Sequence, residues 1–405
     1  MSAICGILYL DGKPVAAETV DTMMAKLSHR GRDGSGVWRE GPLGLGHQML
    51  HTTPESLHET LPFRDSSSDL VITADARIDN REELFDEFDI PPPERAGVAD
   101  SKLILKAYEK WGEDCSKRLL GDFAFAIWDR RKQQLFCARD HVGFRTFYYY
   151  HSRRFLAFAT EIKGVLAAPD VPRRLNETAV ADYLVYNQQD LEITFYKGIL
   201  RLPPAHVIVL QAGVLKKQSY WVPHTQPELK LPADDDYAQA LLEKMTQAVR
   251  CRIRGAFPVG IMLSGGLDSS SVASLAARML RDQGKPLIAV CSALQENHPG
   301  IEKDERQYIE AVKKQEDNIH VEYVLANDVS PFQDLPGQFQ RMDQPFRDLF
   351  YCMSDALYAA ARKNQFAQSR IPLKGWLLHR QHSIWSTPIP CPLKDGATGR
   401  TIHRL

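Results

Sequence analysis

A glycine-rich loop between a strand and a helix constrains the fold of this chain more than any other feature. Its sequence is LSGGLDSS, at Leu263–Ser270, after a strand predicted at Val259–Leu263 and before a helix predicted at Ser269–Leu280. In such a turn the backbone N–H groups and the positive end of the helix converge on one point, which suits a phosphate group. Gly265 and Gly266 let the backbone approach an anion closely. A plain glycine turn is the alternative, and the neighbouring Ser, Asp and Ser residues favour phosphate binding over it.

The polar side chains of the loop indicate which phosphate compound it binds. The hydroxyls of Ser264 and Ser269 can add hydrogen-bond donors. The carboxylate of Asp268 would repel a bare phosphate, so it is useful only with a cation between the two groups, and Mg²⁺ is the expected ion. No Lys follows the glycines, so the loop differs from the G-x-x-x-x-G-K-[ST] loop of γ-phosphoryl transfer. Pyrophosphate is therefore the predicted ligand.

The secondary-structure pattern changes once along the chain. Up to about residue 220, short strands dominate and predict an α+β domain built mainly from antiparallel sheet. Three prolines and a closing acidic cluster predict a linker at Val222–Asp236. Beyond it, strands and helices alternate, which predicts an open α/β sheet of parallel strands. The predicted strands are Ala3–Tyr9, Gly44–Leu50, Leu70–Ala74, Phe123–Asp129, Gln134–Ala138, Thr146–Tyr150, Phe155–Ala159, Ala205–Leu210, Val259–Leu263, Leu287–Ala293 and His320–Leu325; the predicted helices are Glu18–Leu27, Ser101–Lys110, Glu177–Tyr186, Tyr237–Arg252, Ser269–Leu280 and Asp304–Lys314.

Charge and composition exclude several classes of function. The 405 residues suffice for two to three domains, and 50 basic against 51 acidic residues give no general reason to bind nucleic acid or an anionic membrane. The chain has neither an apolar run long enough for a membrane span nor a basic segment before its first apolar run, which predicts a cytoplasmic protein. Seven cysteines without a C-x-x-C pair argue against a zinc site or a disulfide framework.

Four further motifs accompany the loop and together point to one family. They are SHRGRDG at Ser28–Gly34, the strand Leu119–Trp128, RDHVG at Arg139–Gly143 and TEIK at Thr160–Lys163. With SGGLDSS they resemble the signatures of the glutamine-dependent asparagine synthetase family, from residue 1 to about 363. The resemblance implies an N-terminal nucleophile glutaminase domain of α/β/β/α layers at residues 1–220. It implies a PP-loop synthetase domain at residues 237–365, incomplete here, which adenylates a carboxylate with ATP, releases pyrophosphate and lets an amine attack.

The resemblance assigns roles in the synthetase half. It places Leu263 and Ser292 beside the adenine of ATP. The other residues of the loop then bind the pyrophosphate, and Asp268 binds Mg²⁺. The residues that hold the pyrophosphate are Ser264, Gly265, Gly266, Asp268 and Ser269. The substrate is then a small-molecule or peptide carboxylate, and a homodimer is left open.

Two alignments are possible at the N-terminus, where the family places a Cys directly after the initiator Met. If Ile4 and Gly6 match the family's start, Ser2 occupies the nucleophile position and Cys5 an apolar one. If Cys5 matches the family's C-G-I opening, its nitrogen is blocked unless four residues are removed. A free α-amine is the base that this chemistry uses at neutral pH, so we expect Cys5 to be a packed strand residue.

Further departures predict that glutamine hydrolysis is lost or weak. The family's glutamine-binding Arg corresponds to Met49, its N-G-E loop begins here with Asp75 and continues to Arg77, and only Asp100 is retained from the set that holds glutamine. Relatives with this pattern close a ring with an internal amine, as β-lactam synthetases and lasso-peptide macrolactam synthetases do, and we expect the macrolactam branch. A glutamine-hydrolysing enzyme that uses Ser2 or a processed Cys5, and an inactive nucleotide-binding remnant, remain the alternatives.

The composition changes again near Asn364. Residues 366–405 hold six basic residues against one acidic residue, and their apolar periodicity fades. The family's S/D-G-x-G-x-D-E strand end and its later catalytic Lys are not found. The sequence therefore predicts that this tail comes from a shifted reading frame, and that a polypeptide ending this way is poorly soluble and turns over little substrate.

Overall fold

The N-terminal half is built from two antiparallel six-stranded sheets. The structure is a computed structural model and describes residues 1–187, 189–225, 227–296, 304–325, 329–345 and 351–363. The first sheet has the strand order β10-β8-β9-β1-β3-β2 and the second β12-β11-β7-β6-β5-β4. The strands are β1 Ala3–Tyr9, β2 Gly34–Glu40, β3 Leu43–Met49, β4 Phe63–Asp65, β5 Leu70–Ile78, β6 Gly121–Asp129, β7 Gln134–Arg139, β8 Tyr148–His151, β9 Phe155–Ala159, β10 Ile199–Arg201, β11 His206–Gln211 and β12 Val214–Ser219.

The two sheets pack face to face because their central strands are apolar on both sides. In β1, Ile4 and Leu8 lie in the core between the sheets, whereas Ala3, Cys5 and Ile7 lie in the core on the opposite face. This alternation is the period of two that a strand imposes. A strand that is buried on both faces reads as a continuous apolar run, as AICGILY does.

Helices cover the outer face of each sheet and complete four layers. Helices α1 and α5 pack on the first sheet, and α2 and α4 pack on the second. The predicted α/β/β/α arrangement is therefore confirmed. The helices of this half are α1 Ala17–Leu27, α2 Arg81–Glu87, α3 Pro92–Arg95, α4 Asp100–Trp111, α5 Ile162–Leu166 and α6 Glu177–Leu184.

The C-terminal half contains a parallel sheet with the order β13-β14-β15 among the described residues, as the alternating pattern predicts. Helices α7, α8 and α9 share one core with this sheet, and α11 packs on its other face. The elements are α7 Asp234–Ile253, β13 Gly260–Met262, α8 Leu267–Arg281, β14 Leu287–Ala293, α9 Arg306–Gln315, β15 Ile319–Leu325, α10 Leu335–Met342 and α11 Tyr351–Lys363.

One predicted boundary needs correction. The acidic cluster at the end of the predicted linker Val222–Asp236 belongs to α7, which begins at Asp234. Three Asp side chains in the first turn of a helix stabilise it by opposing the positive end of the helix dipole. The predicted tail at residues 366–405 lies outside the described residues. In the part of the chain that is described, no helix combines the length and apolar character needed to cross a bilayer.

Candidate functional site

The glycine loop leaves the carboxyl end of β13 and turns sharply into α8. The N–H of Leu263 donates to the carbonyl of Val290 on β14 at 3.2 Å, so the chain follows the sheet up to the loop. Gly265 has a φ of +78°, and a Cβ there would lie 3.0 Å from the Cβ of Tyr308. The turn therefore requires glycine both for its left-handed conformation and for the close approach of α9.

Two hydroxyls hold the loop in shape. The Oγ atoms of Ser264 and Ser269 are 3.1 Å apart, and the N–H of Ser264 donates to Ser269 Oγ at 3.3 Å. Ser269 Oγ also lies 3.2 Å from the carbonyl oxygen of Gly266, to which it can donate. No side chain caps the N-terminus of α8. The first-turn N–H groups of this helix therefore point to solvent at a place where an anion can accept them.

Asp268 lies in the first turn of α8 with an exposed carboxylate. The described residues contain no group of three or more His, Cys, Asp or Glu side chains that could hold a metal ion by themselves. Mg²⁺ commonly binds one or two carboxylates together with substrate phosphates and water. A single carboxylate beside an anion-binding helix end therefore fits this ion when a phosphate compound is present.

The structure brings Ser292 to the same end of the sheet as the loop. Met262 of β13 pairs with Val290 of β14 in a parallel register, and Ser292 follows Val290 by two residues. Ser292 is exposed and Leu263 is buried. Ligands of open α/β sheets bind at the carboxyl ends of the strands, and contact of these two residues with adenine stays a prediction.

At the N-terminus the structure places Ser2 and Cys5 in different environments. Ser2 immediately precedes β1, is buried, and accepts a hydrogen bond from the N–H of Leu50 at 3.0 Å. Cys5 lies inside β1 with its side chain in the core under α1, and burial raises the pKa of its thiol to about 12. A thiol in that environment is neither exposed nor ionised at neutral pH.

The buried chain terminus lies near an acidic and a basic side chain. Burial lowers the pKa of the Met1 α-amine well below its ordinary value, and Asp75 opposes this shift while Arg145 adds to it. Asp75 and Arg145 are both buried, with a carboxylate oxygen and Nη1 3.4 Å apart. The resemblance expects an Asn at position 75. A carboxylate there accepts hydrogen bonds only and repels a developing oxyanion.

Two further positions concern glutamine: Met49, which stands where the family has a glutamine-binding Arg, and Asp100, the residue predicted to be retained. Met49 is buried in the core of the second sheet. Asp100, the first residue of α4, is buried and paired with Arg81, and Arg254 Nη2 lies 3.9 Å from its Oδ2. Burial, partly offset by Arg81, raises the pKa of Asp100 to about 6. Asp100 is therefore held by arginine side chains of this chain itself.

Two of the sequence motifs meet and have a structural role. Glu161, from TEIK, contacts His29 Nε2 at 3.1 Å, Arg30 Nε at 2.5 Å and Lys163 Nζ at 3.0 Å. Burial opposes ionisation of Glu161, but Arg30, His29 and Lys163 hold its pKa well below the usual range. This cluster joins the end of α1 to the start of α5. The two motifs therefore hold neighbouring elements of the domain together.

Sequence reasoning missed three charged residues around the positions that the resemblance assigns to glutamine. These residues are Glu55, Arg145 and Arg254. Glu55 is buried and paired with Arg81 and Arg254, whereas Arg145 faces Asp75. Arg145 follows the motif RDHVG by two residues, and that proximity is the one signal the sequence offered. Glu55 and Arg254 are far apart in the chain, so local patterns do not reveal their contact.

The geometry defines a class of protein: a four-layer α/β/β/α domain followed by an α/β domain whose first strand leads through a glycine-rich loop into a helix. The family model described as "Glutamine amidotransferase domain" matches residues 1–221, and the one described as "Asparagine synthase" matches residues 240–369. The chain belongs to the glutamine-dependent asparagine synthetase family. It shares 31% identity over 288 residues with "Asparagine synthetase [glutamine-hydrolyzing] 3" of Bacillus subtilis, covering 70% of this chain and 47% of that protein.

Two further relatives agree with this assignment. "Putative asparagine synthetase [glutamine-hydrolyzing] 2" of Methanocaldococcus jannaschii is 32% identical over 295 residues, covering 67% of this chain and 56% of that protein. "Amidase chry2" of Gibberella zeae is 30% identical over 288 residues, covering 69% of this chain and 41% of that protein. The chain thus spans about half the length of the curated relatives it matches.

Proposed function

We propose that this chain works as an ATP-dependent amide-forming ligase. ATP is the nucleotide, a carboxylate is adenylated with release of pyrophosphate, and an amine then attacks the acyl-adenylate. The observation that carries the proposal is the uncapped N-terminus of α8, with Ser264 and Ser269 held beside it at the carboxyl end of β13. The relatives named as asparagine synthetases support the same reaction class.

Different residues of the loop make different contacts with ATP and its leaving group. The first-turn N–H groups of α8 and the hydroxyl of Ser264 donate hydrogen bonds to the phosphate oxygens of ATP. Asp268 would hold Mg²⁺, and the ion would supply positive charge for the phosphate oxygens of ATP. Ser292 and Leu263 border the adenine, at the end of the sheet where the loop opens.

The glutaminase half, in this proposal, does not supply ammonia. Three changes support this: a hydroxyl at Ser2 instead of a thiol, a carboxylate at Asp75 where an oxyanion needs a donor, and an apolar Met49 in the core. The attacking amine is then part of the substrate, which is a small-molecule or peptide carboxylate that closes an internal amide. A macrolactam from a peptide is the product class we favour.

Binding of ATP with Mg²⁺ to the whole chain tests the nucleotide site. We expect Asp268→Ala to weaken binding at least about tenfold, which corresponds to about 1.4 kcal/mol. Asp282→Ala, at the opposite end of the same helix and exposed, is the matched control and should bind as the wild type does. Equal affinities for the two variants would contradict the proposal.

Incubation with L-glutamine tests the glutaminase half. The proposal expects no glutamate above the level seen with a Ser2→Ala variant. Glutamate release that disappears in Ser2→Ala would support the alternative, a glutamine-hydrolysing enzyme with Ser2 as its nucleophile.

A further inference from the structure

An arginine from the C-terminal half lies in the region that the family resemblance assigns to glutamine. Arg254 follows the last residue of α7, and its Nη1 pairs with Glu55. Its Nη2 donates to the carbonyl of Ile78 at 2.8 Å and lies 3.9 Å from Asp100 Oδ2. Glu55 and Asp100 are 7% and 5% exposed, so a single guanidinium is held by two buried carboxylates and a carbonyl.

Neighbouring contacts keep the same segment on the N-terminal half. Arg252 donates to both oxygens of Asp122, one of them at 2.7 Å from Nη2. Arg77 donates to the carbonyl of Cys251, and the N–H of Ala256 donates to the carbonyl of Thr52 at 3.1 Å. Residues 251–256 are therefore fixed along their length, immediately before β13 and the glycine loop.

The charges explain why this surface takes a cation. The N-terminal half contributes five acidic side chains to the region and three basic ones, because Lys102 also acts on Glu59, which leaves an excess of two negative charges. Arg252 and Arg254 cancel this excess. Partly buried carboxylates that lack a cation carry a large desolvation cost, and pairing with a guanidinium offsets part of it. The acidic residues are Glu55, Glu59, Asp79, Asp100 and Asp122, and the arginines are Arg77 and Arg81.

We propose that the former glutamine region is a guanidinium-binding socket for Arg254, made by Glu55, Asp100 and the carbonyl of Ile78. Asp100, the carboxylate that the resemblance assigns to glutamine, then binds a cation supplied by the chain itself. The socket anchors the connection between α7 and β13 on the N-terminal half. This role explains why a half without glutaminase chemistry keeps buried acidic residues, and it holds independently of the nucleotide reaction.

Chemical rescue tests the socket directly on the full chain. We expect Arg254→Ala to lower the midpoint of thermal unfolding by about 4 °C or more, because two buried carboxylates lose a partner. Millimolar ethylguanidinium should restore part of this loss, whereas ethylammonium and sodium chloride at the same concentration should not. Arg250→Ala is the matched control, since Arg250 lies one turn earlier on α7 and is exposed. It should unfold as the wild type does and show no rescue.

A double-mutant cycle covers the case in which Arg254→Ala is too unstable to rescue. Glu55→Gln and Arg254→Met remove the charge of each partner with little change in size. If the socket exists, the double variant loses clearly less than the sum of the two single losses. Trypsin should also cut the exposed segment 227–233 faster in Arg254→Met than in Arg250→Ala, because the segment leads into the helix that the socket anchors.

The proposal is overturned by additive single losses together with equal cleavage rates. It is also overturned by rescue that ethylammonium provides equally well. None of these measurements uses ATP or glutamine, so their failure is distinguishable from failure of the proposed ligase function.

Discussion

At the scale of single residues, the direction of a side chain relative to the sheet decides its chemical environment. Ser2 immediately precedes β1 and Cys5 lies within it; Ser2 accepts a hydrogen bond from Leu50, whereas Cys5 packs under a helix. The difference follows from the period of two in a strand together with the side on which α1 lies. A sequence motif such as C-G-I therefore has no catalytic meaning until its register in the sheet is known.

Cys5 should resist alkylation in the folded protein. Burial holds its thiol protonated, with a pKa of about 12, and the thiolate is the reactive form. We expect iodoacetamide at pH 8 to leave Cys5 unmodified for hours in the native chain, and to modify it within minutes in denaturant. Peptide mass spectrometry measures both rates. Rapid labelling of Cys5 in the native chain would reopen the alignment that makes it a nucleophile.

His47 should make the fold sensitive to mild acid. It is completely buried on β3, and burial, with a smaller effect of His51, lowers its pKa to about 3. In the unfolded chain the imidazole binds its proton near pH 6.5, so the stability that neutral His47 contributes is fully present above that pH. This contribution to the free energy of unfolding is lost as the pH falls from about 6.5 toward about 3, by up to about 1.4 kcal/mol per pH unit.

Urea unfolding at pH 7 and pH 5 measures this dependence. Between pH 7 and pH 5 the free energy of unfolding should fall by about 2 kcal/mol more in the wild type than in His47→Gln, because Gln does not titrate. The control His58→Gln removes an exposed imidazole and should keep the wild-type dependence. Identical slopes for His47→Gln and His58→Gln would show that His47 does not contribute.

At the scale of elements, the sequence predicted buried central strands and missed an exposed edge strand. The predicted strands Ala3–Tyr9, Phe155–Ala159 and Leu287–Ala293 coincide with β1, β9 and β14, because continuous apolar runs indicate central strands. Strand β12, with the sequence VLKKQS, lies at a sheet edge, is mostly exposed and carries no apolar pattern. Edge strands carry charged residues that prevent pairing with other chains. Because these residues break the apolar pattern, the strand is not predicted from the sequence.

The candidate site also has a part that the sequence predicts and a part that it does not. The glycine loop could be predicted because all its parts lie within eight residues, and its conformation depends on local backbone geometry. The pairs Glu55–Arg254 and Asp122–Arg252 could not, since each joins residues more than a hundred positions apart. Only the docking of α7 against the second sheet brings them together.

Gly265→Ala should disable the loop without disturbing the N-terminal half. Its φ of +78° and the Cβ of Tyr308 at 3.0 Å both oppose a methyl group, so the turn must shift. Gly284→Ala is the matched control: it also has a positive φ, of +67°, but open space around the added Cβ. We expect ATP affinity to fall at least about tenfold for Gly265→Ala and to stay within about twofold for Gly284→Ala. Equal affinities would mean that the shape of the turn is not needed.

At the scale of the whole molecule, two groups of polar contacts join the two halves in the part of the chain that the structure describes. One is the guanidinium socket at the end of α7. In the other, Lys163 Nζ approaches Asp343 at 3.3 Å and donates to the carbonyl of Gln340 at 3.0 Å. The backbone N–H of Lys163 also donates to Asp343 at 3.0 Å. Lys163 therefore ties the Glu161 cluster of the first half to the end of α10.

Loss of the Lys163 contact should uncouple the two halves in unfolding. Asp343→Asn keeps a hydrogen-bond acceptor but removes the charge that faces Lys163, and this charge is mostly buried, so the pair is screened little by salt. Combined with Arg254→Met, it removes the ion pairs Lys163–Asp343 and Glu55–Arg254 and leaves Asp122–Arg252 in place. We expect calorimetry to show one transition for the wild type and two for the double variant, because each half has its own core. Arg250→Ala combined with Asp317→Asn, both at exposed positions, should retain a single transition. A single transition in the double variant would mean that the remaining contacts, among them Asp122–Arg252, suffice to make the two halves one cooperative unit.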